Sequence, residues 1–151
     1  MKKYDWKTLT ILVLMLTLAS IVIYWNSDDC SDCLVEPEAG NGSFADISVN
    51  SASVMIQNRI GAPSFILLDI RTADEFNSGH IEGAINLDYY DEVFRDDLDN
   101  LDKERTYLIY CRTANRTGKT MPVMQDLRFD EVYNMAGGIT EWKSQGFPTV
   151  E

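Results

Sequence analysis

The sequence is poor in histidine, cysteine and positive charge, and each shortage excludes a class of protein. One histidine, His80, leaves no histidine cluster for a metal and no spare imidazole for a Ser-His-Asp triad. Three cysteines among 151 residues are too few for a disulfide-stabilised scaffold. Thirteen Lys and Arg against 24 Asp and Glu give a net charge of −11, which argues against a nucleic-acid partner. We therefore expect one domain with an appendage, and neither a bound metal nor a resident cofactor.

Charge is also absent from residues 8–25, TLTILVLMLTLASIVIYW. A helix of this length spans roughly 27 Å, close to the thickness of a bilayer core. Trp6 and Trp25 flank the segment, where aromatic rings favour the headgroup level. Three lysines lie within residues 1–7, so the positive-inside rule predicts a cytoplasmic tail. The sequence thus predicts a single-pass membrane anchor, with the rest of the chain in the periplasm or at the cell exterior.

A cleaved signal peptide is the alternative interpretation, because Ala19 and Ser20 are small enough for a cleavage site. However, apolar residues continue to Trp25, beyond the usual core of about 7–15 residues. We favour the uncleaved anchor. Residues 26–43 are acidic, contain proline and glycine and lack periodicity, which predicts a flexible linker ahead of a folded domain over 44–151.

The domain alternates short apolar runs with segments of helical length. The predicted strands are 46–49, 65–68, 84–87, 106–110 and 131–135. The predicted helices are 51–59, 72–76, 88–101, 117–127 and 139–145. Such alternation predicts an α/β domain with a mainly parallel sheet, whose ligands lie beyond the carboxyl ends of the strands.

Cys111 directly follows the best candidate for a central strand, 106–110, and begins the segment CRTANRTG ahead of a predicted helix. Backbone N–H groups of such a turn, together with a helix N-terminus, stabilise a thiolate and any anion beside it. Arg112, Arg116 and Lys119 add positive charge to this segment. The pattern predicts a cationic pocket around a nucleophilic cysteine that requires no general base.

Four motifs occur in order through the domain. They are LLDIR with EF at 67–71 and 75–76, GHIEGAIN at 79–86, YCRTANRT at 110–117 and NMAGGITEW at 134–142. With these motifs the sequence resembles the single rhodanese domain of the sulfurtransferase family. The resemblance implies a five-stranded, mainly parallel sheet with helices on both faces.

The resemblance also implies a reaction. Cys111 would accept a sulfane sulfur from a small anionic donor such as thiosulfate, become a persulfide and pass the sulfur to cyanide or a thiol, with a protein acceptor as a further candidate. Arg112 and Arg116 would bind the donor, while Asp69 and Arg71 would support the site or simply form a structural ion pair. The outer sulfur would lie among the backbone N–H groups of Arg112, Thr113, Ala114, Asn115, Arg116 and Thr117.

The loop differs from related patterns in three respects. Four residues separate Cys111 from Arg116, whereas phosphatases of the same fold have five, and the shorter loop favours sulfur over phosphate. Ala114 replaces a glycine that many members carry, so a positive φ there would be strained. Pro122 lies inside the predicted helix after the loop and is expected to kink or shorten it.

Several alternatives remain open. The domain could be a non-catalytic sulfur carrier, sensor or docking module, since these would use the same loop. Cys30 and Cys33 predict either a simple disulfide or a tethered pair that exchanges with Cys111. The acidic segment 88–102 is a solvated face or a docking surface for a basic partner. His80 is expected to have a structural role.

Overall fold

The computed structural model describes residues 43–151. The predicted cytoplasmic tail, the anchor at 8–25 and nearly all of the linker lie outside this range, as do Cys30 and Cys33. Within the described residues, no helix combines the length and the apolar character that crossing a bilayer requires. The membrane anchor therefore stays a prediction.

Five strands form one sheet in the spatial order β1-β5-β4-β2-β3, and every neighbouring pair is parallel. The strands are β1 (Ser43–Ile47), β2 (Phe65–Asp69), β3 (Ile85–Asn86), β4 (Thr106–Tyr110) and β5 (Glu131–Met135). All five residues of the central strand β4 are buried, as expected for a strand covered on both faces. The predicted parallel α/β sheet is confirmed.

Helices cover both faces of the sheet. They are α1 (Val49–Arg59), α2 (Ala73–Asn77), α3 (Phe94–Asp99), α4 (Asn115–Asp126) and α5 (Gly138–Ser144). One hydrophobic cluster joins Ile56 of α1 and Trp142 of α5 to the sheet, and the other joins Leu98 of α3 and Met124 of α4. Alternate residues of β4 enter the two clusters, because successive side chains in a strand point to opposite faces.

Two predicted boundaries were wrong for local reasons. The helix predicted over 88–101 begins only at Phe94, because the Asp88 and Asp91 carboxylates accept hydrogen bonds from backbone N–H groups two residues ahead and form turns. The first strand ends at Ile47 rather than residue 49, because the Ser48 hydroxyl accepts from the Ser51 N–H and caps α1.

Pro122 was expected to kink or shorten the helix after the loop, and the shortening was wrong, while the kink stays a prediction. Helix α4 passes through Pro122 and continues to Asp126. Proline has no N–H, so the Gly118 carbonyl lacks the helical donor that residue 122 would otherwise provide.

Candidate active site

The sheet and α4 together position Cys111. The residue follows the last residue of β4, and its side chain is 1% exposed. The loop from Cys111 leads to Ala114, the residue that precedes the first turn of α4. The Cys111 Sγ lies 3.8 Å from the Thr117 Oγ1 in that first turn. The cysteine is therefore enclosed by its own loop at the carboxyl edge of the sheet, where ligands of parallel sheets bind.

Hydrogen bonds in this loop favour the charged form of the sulfur. Burial is the largest single influence and by itself would raise the Cys111 pKa. The backbone N–H groups of Thr117, Thr113 and Arg116, with the Thr117 hydroxyl, outweigh it and lower the pKa below the ordinary thiol value. The folded loop thus raises the fraction of nucleophilic thiolate near neutral pH.

Replacing Thr117 with valine should raise the Cys111 pKa. Valine keeps the shape of the buried side chain and the backbone N–H but removes the hydroxyl near Sγ. The measurement is thiolate ultraviolet absorbance against pH, after subtraction of a Cys111→Ser titration. Thr120→Val is the matched control, because this equally buried hydroxyl donates to the Arg116 carbonyl rather than to Sγ. A titration that moves equally in both variants, or in neither, would contradict the assignment.

Ala114 has the strained backbone that its sequence position predicted. Its φ is +66°, in the left-handed region, which costs a residue with a Cβ about 1 kcal/mol. Such a residue before a right-handed helix turns successive N–H groups toward one point, an arrangement that binds anions. The strain is therefore stored in the loop that carries the cysteine.

Arg116 has a carboxylate partner that the sequence did not predict. Its two terminal nitrogens donate to the two Glu75 oxygens at 2.7 and 2.8 Å, and its guanidinium lies 5.5 Å from the Tyr90 ring centre. This two-point hydrogen bond is the main reason why the pKa of Glu75 falls to about 2, with further help from the Thr72 N–H. Arg112 is exposed beside the loop. That Arg112 and Arg116 bind the donor stays a prediction. The Glu75 carboxylate fixes the orientation of the Arg116 side chain.

The Glu75–Arg116 pair should stabilise the domain at neutral pH and lose this effect in acid. The folded-state pKa lies below the ordinary value of 4.5, so the stabilisation is complete above about pH 4.5 and is lost as the pH falls toward 2. We expect Glu75→Gln to lower the urea midpoint at pH 7. The difference in midpoint between variant and wild type should shrink as the pH falls from about 4.5 toward 2. Asp74→Asn, one position away and outside the ion pairs of residues 43–151, is the control. A gap that is independent of pH would contradict the pairing.

Asp69 and Arg71 form a buried ion pair behind the loop. Arg71 Nη2 lies 2.6 Å from Asp69 Oδ2, and the two side chains are 5% and 0% exposed. Arg71 also donates to the backbone carbonyls of Glu75 and Gly79. These contacts connect β2 to the segment that carries Glu75. They match the ion-pair alternative, while a direct role of either residue at the sulfur stays a prediction.

His80, which was expected to be structural, and Trp142, the last residue of the fourth sequence motif, both have structural contacts. His80 Nδ1 lies 3.1 Å from the Phe76 carbonyl oxygen, and its ring stacks on the Phe76 ring at 3.7 Å. Trp142 is 3% exposed and donates to the Pro148 carbonyl. Within residues 43–151, His, Cys, Asp and Glu side chains form no group of three suited to hold a metal ion.

A glycine turn formed by Gly137 and Gly138 at the start of α5 contacts the backbone of the cysteine loop. The N–H of Ile139 donates to the Cys111 carbonyl at 2.9 Å, and that of Thr140 donates to the Arg112 carbonyl at 3.1 Å. Gly138 has a φ of +59°, and a Cβ placed there would lie 2.4 Å from the Cys111 carbonyl oxygen. Only glycine fits this approach without movement of the loop. The adjacent glycines at 137–138 are the sequence signal for this contact.

Known proteins resemble this chain in both sequence and fold. The rhodanese-like domain family matches residues 54–145. The thiosulfate sulfurtransferase GlpE of Shewanella oneidensis is 31% identical over 100 residues, which cover 66% of this chain and 93% of that protein. The tRNA uridine(34) hydroxylase of Yersinia pestis is 33% identical over 103 residues, but this region is only 28% of its length.

The fold is likewise found in a solved structure. A rhodanese-related protein from Thermoplasma volcanium superposes with a TM-score of 0.59 at 23% identity, covering 73% of this chain and 98% of that one. At this identity the likeness concerns the fold alone. The family match spans more than half of the chain and includes Cys111 with its loop. The chain therefore belongs to the rhodanese-like domain family.

Proposed function

We propose that this protein is a sulfurtransferase that carries a sulfane sulfur on Cys111. The observation that carries the proposal is the buried Cys111 thiol, whose pKa is lowered by the N–H groups of its own loop. A thiolate is the nucleophile in exchange at sulfur, and the same N–H groups can hold a second, anionic sulfur. Its relative GlpE, whose printed name is thiosulfate sulfurtransferase, gives further support.

In the first half-reaction, the Cys111 thiolate attacks the outer sulfur of thiosulfate. A bond forms between Sγ and that sulfur, the sulfur–sulfur bond of thiosulfate breaks, and sulfite leaves with the electron pair. The product is the Cys111 persulfide anion, so charge is conserved without proton transfer. Arg112, exposed beside the loop, would attract the dianionic donor on a domain whose net charge is otherwise acidic.

In the second half-reaction, the acceptor attacks the outer sulfur. With cyanide, a carbon–sulfur bond forms, the Sγ–sulfur bond breaks, and thiocyanate leaves the Cys111 thiolate ready for another cycle. With a thiol, the acceptor sulfur bonds to the sulfane sulfur, and the thiol proton ends on the new persulfide. The loop donors that favour the thiolate also favour it as the leaving group.

Intact mass spectrometry of the protein after thiosulfate treatment tests this proposal. We expect the mass to rise by one sulfur atom and to return to its starting value when cyanide is added, with thiocyanate released. Continuous thiocyanate production would establish turnover. A stable adduct without turnover would instead favour the sulfur carrier, and the absence of any adduct would contradict both forms of the proposal.

We further propose that residues 8–25 anchor the protein in a membrane, with the catalytic domain on the extracytoplasmic side. The uncharged run and the lysines before it support this orientation. We expect the full-length protein to remain in the membrane after alkaline carbonate extraction and its domain to be cut by protease added to spheroplasts, in which only the cytoplasmic membrane is intact. Release by carbonate, or protection from the protease, would contradict the respective part. A variant lacking residues 1–25 is the control.

A further inference from the structure

A cavity lies next to the active loop, on the face of the sheet covered by α4. Its volume is about 470 Å³, and its lining includes Ala114 and Gly137, which belong to the loop and the glycine turn. The apolar side chains of Phe44 and Met121 also line it. Ala114 thus forms part of both the cysteine loop and the cavity wall. A ligand in this cavity would lie beside the sulfur-carrying loop.

The polar side chains that line this cavity are Asp46, Asn134 and Gln125. Asp46 of β1 and Asn134 of β5 are paired residues in the sheet, and the Asn134 Nδ2 donates to Asp46 Oδ1 at 2.7 Å. This bond fixes the amide orientation and leaves Asn134 Oδ1 as a buried oxygen without a donor among the described residues. Asn134 is only 4% exposed, so leaving its acceptor unpaired costs free energy of folding.

Helix α4 contributes Gly118 and Pro122 to the lining of the same cavity, and Pro122 has no backbone N–H to offer as a donor. No Lys, Arg or His lines the cavity, and Asp46 takes part in no ion pair within residues 43–151. The ligand that complements such a site is positively charged and rich in N–H donors. A primary ammonium group offers three N–H donors and no acceptor.

We propose that this cavity binds the ammonium group of a small aminothiol, so that amine-bearing thiols are the preferred sulfur acceptors. The inference rests on the proposed sulfur transfer for the role of the thiol, but binding of the ammonium group is independent of it. Asp46 supplies the charge, Asn134 Oδ1 supplies a further acceptor, and the apolar side chains that line the cavity cover the carbon chain. The acceptor thiolate would attack the outer persulfide sulfur, the Cys111 Sγ–sulfur bond would break, and the aminothiol would leave as its persulfide.

The transfer test compares cysteamine with 2-mercaptoethanol on the full-length protein, using thiosulfate as donor. The two thiols share a carbon chain and differ in an ammonium or a hydroxyl group. Their intrinsic reactivities are the same toward every variant, so a change in the ratio of their kcat/KM values reports the cavity. We expect Asp46→Asn to lower the cysteamine preference about tenfold, as loss of a charge-assisted hydrogen bond would do. Asparagine retains the oxygen that accepts from Asn134, so the sheet contact is kept.

Glu82→Gln is the matched control for charge. This exposed carboxylate lines a different cavity, between α1 and the C-terminal segment, and its removal changes the net charge by the same amount. We expect it to leave the ratio unchanged. An unchanged ratio in Asp46→Asn, or an equal fall in Glu82→Gln, would overturn the proposal.

A binding measurement separates this proposal from the proposed function. Saturation-transfer NMR with ethylammonium, which has no thiol, should give a signal with the wild-type protein that weakens in Asp46→Asn, and ethanol should give none. Ethylammonium binding without sulfur transfer would leave the cavity assignment standing and contradict the transfer alone. No ethylammonium signal with the wild type would overturn the cavity assignment.

Discussion

Replacing Cys111 with alanine is expected to abolish sulfur transfer, lowering the turnover of thiosulfate and cyanide by at least ~10³-fold, to the uncatalysed background. The proposed sulfur carrier is a single atom, Cys111 Sγ, and no other described residue is a cysteine. Alanine leaves the N–H donors of the loop in place but provides no sulfur to which the sulfane sulfur can bond. The measurement is thiocyanate formation, with intact mass before and after thiosulfate treatment.

The upstream cysteines provide the control for this prediction. Cys30→Ser combined with Cys33→Ser should retain the adduct and the turnover if Cys111 alone carries sulfur. An adduct that persists in Cys111→Ala would place the carried sulfur on the upstream pair and contradict the assignment. Loss of turnover in the upstream double variant, with the Cys111 adduct intact, would support the alternative in which that pair receives the sulfur.

Replacing Gly138 with alanine is expected to destabilise the domain and displace the active loop. The new Cβ would lie 2.4 Å from the Cys111 carbonyl oxygen and 2.7 Å from the Arg112 carbonyl carbon, both backbone atoms. Relief of this overlap requires the α5 turn to move away from the loop, which weakens the bonds from Ile139 and Thr140. We expect a loss of about 3 kcal/mol in the free energy of unfolding, from overpacking and positive φ together.

Gly146→Ala isolates the effect of the close contact. Gly146 also has a positive φ, +80°, but a Cβ there meets nothing within 4 Å. The Gly146→Ala variant should therefore lose only about 1 kcal/mol in the free energy of unfolding, the cost of a positive φ, and keep its sulfur-transfer rate. Urea denaturation followed by fluorescence gives the stabilities, and thiocyanate formation gives the rates. Equal effects of the two substitutions would show that backbone conformation, and not the contact with Cys111, determines the role of Gly138.

The sequence by itself determined the fold class and singled out Cys111 as the candidate nucleophile. The run at 106–110 was predicted to be a buried strand, because it is short and mostly apolar, and β4 has these bounds. The loss of a glycine at Ala114 signalled a strained loop, and its φ is positive. Residues 88–93 were predicted to be helical but form turns, because aspartate side chains there accept hydrogen bonds from backbone N–H groups and so compete with the helix.

Only the tertiary structure decided which distant residues meet at the loop. Glu75 and Arg116 are 41 positions apart, and their pairing depends on the neighbouring positions of β2 and β4 in the sheet. Asp46 and Asn134 are 88 positions apart and meet because β1 pairs with β5 at the sheet edge. Periodicity reports which face of an element is buried, but the order of parallel strands follows from long crossovers that local sequence does not encode. The candidate nucleophile Cys111 could therefore be proposed from its own segment, whereas the Glu75–Arg116 ion pair and the neighbouring cavity could not.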